Sequence, residues 1–155
     1  MGAPETRTIA TNRRARHEYA IEETFEAGLE LIGSEVKAIR AGLVSIAEAY
    51  CAVRDGEVFL IGATITANTT APWQTHAPGR ERRLLLHRRE IDRIRTRVDE
   101  RGFTLIPLRL YFRGGRAKLE IALARGKNFV DKRDSIAERE ARREMERVVK
   151  RGDRE

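Results

Sequence analysis

The 155-residue sequence predicts a mainly β domain: a small closed or nearly closed antiparallel barrel, with short helices on its rim and a basic C-terminal tail. Two turn signals lead to this prediction. Asp55-Gly56 and Gly114-Gly115 each separate two runs of β-forming residues, which is typical of two-residue hairpins. Two short stretches with helical character interrupt the strands, and the strand pattern stops after Ala124. Strands joined mostly by hairpins, with short helices inserted, favour a barrel.

The first long strand is predicted over Tyr19–Leu31, because its odd positions are mostly apolar and its even positions mostly polar. Gly28 would form a bulge or a bend in it. A short helix follows over residues 34–42, with Ser34 as its N-cap and Gly42 as its end. This strand and helix are the first elements of the predicted barrel.

The middle of the chain is predicted to form a hairpin, a loop and a second helix. Strands over residues 50–53 and 58–61 flank the first turn. Residues 67–80 contain two prolines and several polar residues, which indicates a mobile loop. From Arg88 to Arg101 the apolar residues recur at helical spacing, so this helix should bury a narrow stripe and expose a basic face.

The last strands and the tail differ sharply in pattern. Residues 103–112 and 117–123 flank the second turn and should complete the barrel. In the tail, Asp134-Ser135 and Glu138 resemble a capping box that opens a helix. That helix has few apolar residues to bury, so we expect it to form mainly on a partner. The chain thus divides into an N-terminal arm (1–17), a barrel core (18–124) and a tail (125–155).

Charge points to a polyanionic partner. The chain has 31 Lys and Arg against 24 Asp and Glu, a net charge of +7, and 26 of the cations are Arg. Residues 1–17 carry +3, residues 18–79 carry −6, and the three segments 80–101, 102–124 and 125–155 carry +4, +3 and +3. A GC-rich genome would explain the excess of Arg over Lys but not this uneven distribution. Nucleic acid is the simplest partner for such a chain.

Several classes of protein are disfavoured. The single cysteine, Cys51, cannot form an internal disulfide and should be a buried strand residue. Membrane-spanning runs and a signal peptide are both missing from the sequence, so we expect a cytoplasmic protein. His17, His76 and His87 fall in separate elements, and neither zinc spacing nor a phosphate-binding loop is found. We therefore expect a binding protein that is not an enzyme and uses no metal or cofactor.

Clusters of basic residues are the best candidates for binding. Residues 12–17 combine three Arg with an Asn and a His, and residues 80–83 and 87–89 add further Arg. Arginine binds phosphate with two parallel hydrogen bonds and stacks on bases, so these clusters suit a folded RNA. A single cluster would be an ordinary solvated surface, whereas three around one small barrel favour oligonucleotide binding.

The sequence resembles the SmpB family, the SsrA-binding proteins of bacterial trans-translation, from about Thr8 to about Arg143. Five separated blocks in the same order carry the resemblance. They are Asn12-Arg-Arg-Ala-Arg-His-Glu-Tyr19; Phe25-Glu-Ala-Gly-Leu-Glu-Leu31 with Gly33-Ser-Glu-Val-Lys-Ala-Ile-Arg-Ala-Gly42; Leu84-Leu-Leu-His-Arg-Arg-Glu-Ile91; Leu105-Ile-Pro-Leu-Arg-Leu-Tyr111; and Asp131-Lys-Arg133.

The resemblance implies an RNA-binding adaptor with an OB-like closed barrel and a tail that is disordered alone and helical on the ribosome. Such proteins bind the tRNA-like domain of transfer-messenger RNA and enter stalled ribosomes with it, aided indirectly by elongation factor Tu through the aminoacylated RNA. There they contact mainly small-subunit RNA and replace codon–anticodon pairing, so that the nascent chain is tagged for proteolysis. We expect this chain to act as a monomer.

The resemblance also implies three groups of site residues. The RNA-binding group is Asn12, Arg13, Arg16, Glu26, Lys37, Arg40 and Arg83. The group near the ribosomal decoding centre is Lys127, Asp131, Lys132 and Arg133. The tail group for the mRNA channel is Arg139, Arg142, Arg143, Arg147 and Lys150. Within the first group, Glu26 would accept hydrogen bonds from base donors or orient a neighbouring Arg. The alternative interpretation is that Glu26 is an ordinary strand residue that faces solvent and has no role in binding.

One departure from the family and two alternative functions remain. Members usually carry Tyr or His just before Asp-Lys-Arg, where this chain has Val130, so either Phe129 supplies the aromatic contact or the contact is absent. A general oligonucleotide-binding module would account for the charge and the barrel, with Trp73 as its one candidate stacking platform. An RNA hydrolase would need an acid–base or metal set that the sequence does not supply.

Overall fold

The computed structural model describes residues 6–66, 76–100 and 102–126. Within them it contains nine strands and three helices. In chain order these are β1 (Thr6–Thr11), α1 (Arg13–Glu18), β2 (Tyr19–Leu29), α2 (Gly33–Arg40), β3 (Val44–Ser45), β4 (Tyr50–Arg54), β5 (Glu57–Ile61), β6 (Thr64–Ile65), β7 (Arg82–Leu85), α3 (Arg88–Asp99), β8 (Phe103–Arg113) and β9 (Arg116–Gly126).

Six strands form a hydrogen-bonded ring. Their order is β8-β4-β5-β7-β2-β9, and β9 pairs again with β8, which closes the ring. Strand β1 pairs with the C-terminal half of β8, while β3 and β6 form a separate two-stranded sheet. Every pairing is antiparallel. The prediction of a mainly β fold with few helices is confirmed.

The two predicted hairpin turns are both present. Asp55 and Gly56 have φ of 51° and 74°, and Gly114 and Gly115 have φ of 56° and 81°. Positive φ at both central residues matches the right-handed twist of the flanking strands, which is why Asp-Gly and Gly-Gly are favoured there. The strands reach the turns directly, since Arg54 pairs with Glu57 and Arg113 with Arg116.

The main hydrophobic core lies among the ring strands and helices α2 and α3. Val58, Leu84, Ile94, Leu119 and Ile121 are fully buried in it. Cys51 also belongs to this core, as the sequence predicted. Because side chains alternate across a strand, β8 and β9 also present a second apolar face, and helix α1 covers part of that face.

Helix α2 begins differently from the prediction. Ser34 is not its N-cap: the helix starts at Gly33 with Ile32 as the capping residue, and the Glu35 carboxylate accepts the Ile32 N–H at 3.0 Å. The Ser34 hydroxyl instead lies 2.9 Å from His76 Nδ1. The predicted end is confirmed, since Gly42 follows the helix with φ of +78°.

Helix α3 agrees with its predicted pattern. Ile91 and Ile94 are buried on its inner face. The Glu90 side chain accepts the backbone N–H of His87 at 3.1 Å, which satisfies one of the free donors at the start of the helix. The predicted mobile loop falls largely on residues 67–75, which lie outside the described residues.

Strand boundaries required small corrections. Strand β2 ends at Leu29 rather than Leu31, and β9 continues to Gly126. Gly28 is not a bulge, because the register shift of β2 lies between Ile21 and Glu23. Gly28 instead marks a close approach to β7: a Cβ there would lie 3.2 Å from Leu85 Cβ.

Five elements were not predicted from the sequence: β1, α1, β3, β6 and β7. Strand β1 pairs Thr6 with Arg113 and Thr11 with Arg109, so the N-terminal segment is part of the folded sheet. Helix α1 has only six residues and buries Ala15. In the described part of the chain, no helix has the length and apolar character needed to cross a membrane.

Candidate RNA-binding surface

The predicted RNA-binding residues lie on four elements of the structure. Two of these residues, Glu26 and Arg83, line one groove. Glu26 on β2 and Arg83 on β7 both line a groove of about 600 Å³ between β2, β7, β9 and the first turn of α3. We call it the Glu26–Arg83 groove. Lys118 and Arg88 add positive charge, and Glu57 adds negative charge. The groove therefore offers both donors and acceptors to a polar ligand.

Glu26 is held by two side chains of β8. Its Oε2 accepts a hydrogen bond from the Tyr111 hydroxyl and another from Arg113 Nη1 at 2.9 Å. The bond from Tyr111 is the main cause that lowers the pKa of Glu26; partial burial opposes it, and Arg113 and Lys118 add to it. Glu26 is therefore ionised at neutral pH and orients Arg113, which is one of the roles that the sequence suggested.

Tyr111 complements the Glu26 carboxylate. Burial, and next the hydrogen bond to Glu26, raise the pKa of its phenol well above the ordinary value, so the hydroxyl stays protonated and donates. The Arg109 guanidinium lies 4.3 Å from the Tyr111 ring centre, and its Nη1 donates to Thr8 Oγ1 at 3.2 Å. Arg109, Tyr111 and Arg113 thus form a polar row on β8.

Sequence reasoning did not select this polar row. Arg109, Tyr111 and Arg113 are spaced by two residues, so they lie on one face of a strand. That alternation was a usable signal, but the match to Glu26 depends on strand pairing between positions 85 residues apart.

Arg83 has acidic neighbours of its own. Its Nε donates to Glu30 at 2.6 Å, and its Nη1 lies 4.0 Å from Glu57. Arg83 is exposed and so is Glu30, so their attraction is weakened by water. The Arg83 guanidinium is therefore accessible to a phosphate.

Asn12 has a structural role in the described contacts. Its Nδ2 donates to the Pro107 carbonyl at 3.0 Å and its backbone N–H donates to Leu108 at 2.7 Å. The residue is buried at the start of α1 and fixes that helix on β8. Arg13 and Arg16, which follow it, are exposed on the helix.

Lys37 and Arg40 are exposed on the last turn of α2. The Arg40 guanidinium lies 5.9 Å from the centre of the Phe112 ring. Because Phe112 stands between Tyr111 and Arg113 on β8, Arg40 lies near the end of β8 that contacts Glu26. Side chains alternate across a strand, so Phe112 and Arg40 lie on the face of β8 opposite to Tyr111 and Arg113, and Arg40 does not join the polar row.

One predicted cluster is corrected by the structure. Arg82, in the basic segment 80–83, is fully buried rather than exposed to a nucleic acid. Its Nε donates to Glu35 Oε2 at 2.7 Å, and its Nη1 donates to the Ala63 carbonyl at 3.0 Å. Arg80 Nη2 reaches the other oxygen of Glu35 at 2.5 Å. These contacts tie β7 to α2 and to the residue that precedes β6, and so support the neighbouring Arg83.

Burial acts to raise the pKa of Glu35, but hydrogen bonds from Arg80, from the Ile32 N–H and from Arg82 outweigh it and lower the pKa. Glu35 is therefore ionised and balances part of the buried positive charge. Sequence patterning gave no sign of this buried cluster, because charged residues are seldom buried.

Burial raises the pKa of the Cys51 thiol far above its ordinary value, so this cysteine is a poor nucleophile. In residues 6–66, 76–100 and 102–126 no three His, Cys, Asp or Glu side chains are grouped to hold a metal ion.

The tail predictions lie outside the described residues, as does Trp73. This applies to Lys127, Asp131, Lys132, Arg133, Arg139, Arg142, Arg143, Arg147 and Lys150. Their roles remain predictions.

Comparison with known proteins covers nearly the whole chain. The family model described as SmpB protein matches residues 9–151. An SsrA-binding protein of Thermobifida fusca (strain YX) is 57% identical over 145 residues, which are 94% of this chain and 91% of that protein. One of Roseiflexus sp. (strain RS-1) is 55% identical over 145 residues, 93% of this chain and 92% of that protein.

A solved structure is also similar, and it is described as "tmRNA-SmpB: a journey to the center of the bacterial ribosome". It superimposes with a TM-score of 0.63 at 44% identity, covering 76% of this chain and 82% of that one. Sequence and structure therefore agree, and the chain belongs to the SmpB family of SsrA-binding proteins.

Proposed function

We propose that this protein is an RNA-binding adaptor of trans-translation. It binds the tRNA-like domain of transfer-messenger RNA, delivers that RNA to stalled ribosomes and substitutes for codon–anticodon pairing. The observation that carries this proposal is the family match over residues 9–151, which includes both the ring of strands and the tail. The SsrA-binding relatives cover more than nine-tenths of the chain. Transfer-messenger RNA and the ribosome are accordingly its partners.

The architecture suits this role. We interpret the six-stranded ring as a closed OB-like barrel, because such barrels bind oligonucleotides on their outer strands and loops. The role is that of an adaptor and not of an enzyme, and it is carried out in the cytoplasm, where the ribosomes are. The net charge of +7 favours association with RNA at a rate that falls with salt.

The Glu26–Arg83 groove is our candidate for the centre of the RNA contact. Arg83, Arg113 and Lys118 supply cations for phosphate, while the ionised Glu26 accepts hydrogen bonds from base N–H groups or orients Arg113. Arg13, Arg16, Lys37 and Arg40 extend the positive surface, and Asn12 holds the helix that carries the first two. Folded RNA with an irregular surface suits such a scattered set of cations.

Two further groups act on the ribosome in this proposal. Lys127, Asp131, Lys132 and Arg133 contact the decoding centre. The tail cations Arg139, Arg142, Arg143, Arg147 and Lys150 line the mRNA channel. Support for both comes from the resemblance and from the family match, which extends through residue 151.

A titration tests the RNA-binding part of the proposal. The full chain is titrated with a labelled tRNA-like domain at near-physiological salt, with ordinary tRNA and a single strand of equal length as competitors. We expect tighter binding to the tRNA-like domain. Replacing Glu26 by Gln, or Arg83 by Gln, should weaken this binding by about tenfold.

Glu22→Gln is the matched control, because Glu22 lies on the same strand as Glu26 but pairs loosely with Arg125, at 3.9 Å. Its affinity should stay close to that of the wild type. Equal and steeply salt-dependent binding of all three RNAs would contradict the proposal and favour a general oligonucleotide-binding module.

A further inference from the structure

A second pocket lies far from the Glu26–Arg83 groove. It has a volume of about 250 Å³ and is enclosed by α1, by residues 47–50 and by the beginning of β8. Tyr19 lines this pocket, whereas Gly28 lines the groove, and the two residues stand at opposite ends of β2. Nine residues of extended strand separate them by roughly 30 Å. The two sites are therefore distinct.

The pocket has an apolar floor and a polar rim. Ala15, Ala49 and Ile106 line it and are buried. On one side stands Tyr50, which is half exposed although it is a large aromatic residue. An apolar floor beside an accessible aromatic ring suits a flat ligand that can stack, and nucleobases stack on such rings independently of sequence.

The charged side chains at the rim of the pocket favour one kind of ligand over another. Glu18 and Glu48 are exposed carboxylates, and Arg14 is the one cation among the residues that line the pocket. Arg14 Nη1 lies 3.4 Å from Glu48 Oε1, and both side chains are largely exposed, so this pair is easily exchanged for another. An excess of carboxylates disfavours a phosphate as the main group bound and favours a ligand with N–H donors.

Guanine satisfies these conditions best among the four bases. Its N1–H and N2 amino group are adjacent donors that match the two oxygens of one carboxylate. Adenine and cytosine present an amino group without a neighbouring N–H, and uracil flanks its one N–H with carbonyl oxygens that a carboxylate repels. Guanine in a helix hides this edge in pairing, so the base must be unstacked and unpaired.

We propose that the pocket lined by Arg14, Glu18, Glu48 and Tyr50 binds an unstacked guanine of a partner RNA. Tyr50 stacks on the base, Glu48 or Glu18 accepts from its N1–H and N2 amino group, and Arg14 remains near the sugar-phosphate. This inference rests on the proposed function, since it takes an RNA as the source of the base. The pocket lies at the end of the ring where Gly126 of β9 pairs with Tyr19, so residues 127–155 continue from this end.

The direct test uses nucleotides and the full chain. ¹H–¹⁵N NMR spectra are recorded during titration with GMP, with IMP, which lacks the N2 amino group, and with AMP. We expect GMP to shift the amides of residues 47–50 and 104 and to bind at least about fivefold more tightly than IMP or AMP. Tyr50→Leu should weaken GMP binding by about tenfold, while Tyr50→Phe, which keeps the ring, should not.

Replacing both Glu18 and Glu48 by Gln should remove the preference for GMP over IMP, with a dispersed NMR spectrum showing that the double variant is folded. Equal shifts with AMP and GMP, or full GMP binding by folded Tyr50→Leu, would overturn the proposal. A wild-type chain that binds the tRNA-like domain but not GMP would overturn this inference and leave the proposed function intact.

A second arm identifies the RNA. The affinity of Tyr50→Leu is measured for the tRNA-like domain and, separately, for purified small ribosomal subunits, with Tyr50→Phe as the control. A loss of affinity for one of them supports the proposal and shows which RNA supplies the guanine. No loss for either would overturn a role for the pocket in RNA binding.

Discussion

Glu26 and its two donors show how one side chain depends on others that are distant in sequence. The carboxylate lies on β2, and the Tyr111 hydroxyl and the Arg113 guanidinium reach it from β8. Hydrogen bonds to an ionised acceptor are stronger than neutral ones, so each partner fixes the other two. The resemblance predicts Glu26 as a site residue, whereas its partners Tyr111 and Arg113 follow only from the strand pairing.

Tyr111→Phe tests this arrangement by removing one hydroxyl. We expect the free energy of unfolding to fall by about 1 kcal/mol, because the bond goes to a charged but partly exposed group. Affinity for the tRNA-like domain should also fall, since Glu26 and Arg113 lose an anchor. Urea denaturation and the RNA titration measure the two effects. Tyr50→Phe, on an exposed ring, is the stability control, and an unchanged Tyr111→Phe would contradict the role of the hydroxyl.

At the scale of elements, the Glu35 cluster joins α2 to β7 and β6. Glu35 and Arg82 are both fully buried, and Arg82 also donates to the Ala63 and Pro78 carbonyls. His76 adds a further link, because its Nε2 lies 2.7 Å from the Ile65 carbonyl and its Nδ1 faces Ser34. These bonds fasten the segment that precedes β7 to the rest of the fold.

Glu35→Gln should be strongly destabilising. The substitution leaves the charge of Arg82 buried without its counter-charge, and breaking such a pair costs about 3 to 5 kcal/mol. Asp92→Asn is the control, because Asp92 lies 4.0 Å from Arg95 in an exposed pair and should matter little. Denaturant unfolding of both variants measures the difference. Similar small effects for the two would show that the buried pair adds no stability.

The cluster also predicts a pH dependence. Because the pKa of Glu35 is lower in the folded than in the unfolded chain, its stabilisation is complete above the ordinary pKa and is lost as pH falls through the folded value. The difference in unfolding free energy between wild type and Glu35→Gln should therefore be constant from about pH 6 to 8 and shrink below about pH 4. A difference that stays constant to about pH 3 would contradict the lowered pKa.

Substitutions at two glycines, Gly42 and Gly62, allow the cost of backbone strain to be distinguished from the cost of a steric clash. Gly42 and Gly62 both have positive φ, at +78° and +81°. A Cβ at Gly42 would meet no atom within 4 Å, whereas one at Gly62 would lie 2.9 Å from the Glu48 carbonyl oxygen. Each change to Ala should cost about 1 kcal/mol in strain, and Gly62→Ala should cost clearly more. Thermal unfolding compares them, and equal losses would contradict the contact.

Local patterns predicted some elements and failed for others, for physical reasons. The Asp55-Gly56 and Gly114-Gly115 turns follow from backbone conformation alone, so the sequence was sufficient. Helix α1 has only six residues. It is held in place by tertiary contacts that Asn12 and Ala15 make with β8, and these are not visible in the local sequence. Strand β1 is largely exposed and lacks an alternating pattern, so its pairing with β8 was not visible. The burial of Arg82 could not be predicted from local sequence either, because its partner Glu35 lies on another element.

At the scale of the whole molecule, the two candidate contact sites lie towards opposite ends of the long strand β2. The Glu26–Arg83 groove lies towards one end of β2 and β9. The pocket lined by Arg14, Glu18, Glu48 and Tyr50 lies at the other end, where the chain continues into the tail. A rigid scaffold between separated contact sites is what an adaptor requires. We therefore propose that transfer-messenger RNA binds at the groove and that the tail contacts the ribosome.

Tagging in a reconstituted translation system tests the central claim most directly. Ribosomes are stalled on a message without a stop codon, with transfer-messenger RNA and elongation factor Tu present, and addition of the SsrA-encoded tag to the nascent chain is measured. The full chain should support tagging, Glu26→Gln with Arg83→Gln should lose it together with RNA binding, and replacing the five tail cations by Gln should abolish tagging while RNA binding remains. Absence of tagging with the folded wild-type chain would contradict the adaptor function, and full tagging by the tail variant would contradict the division of roles.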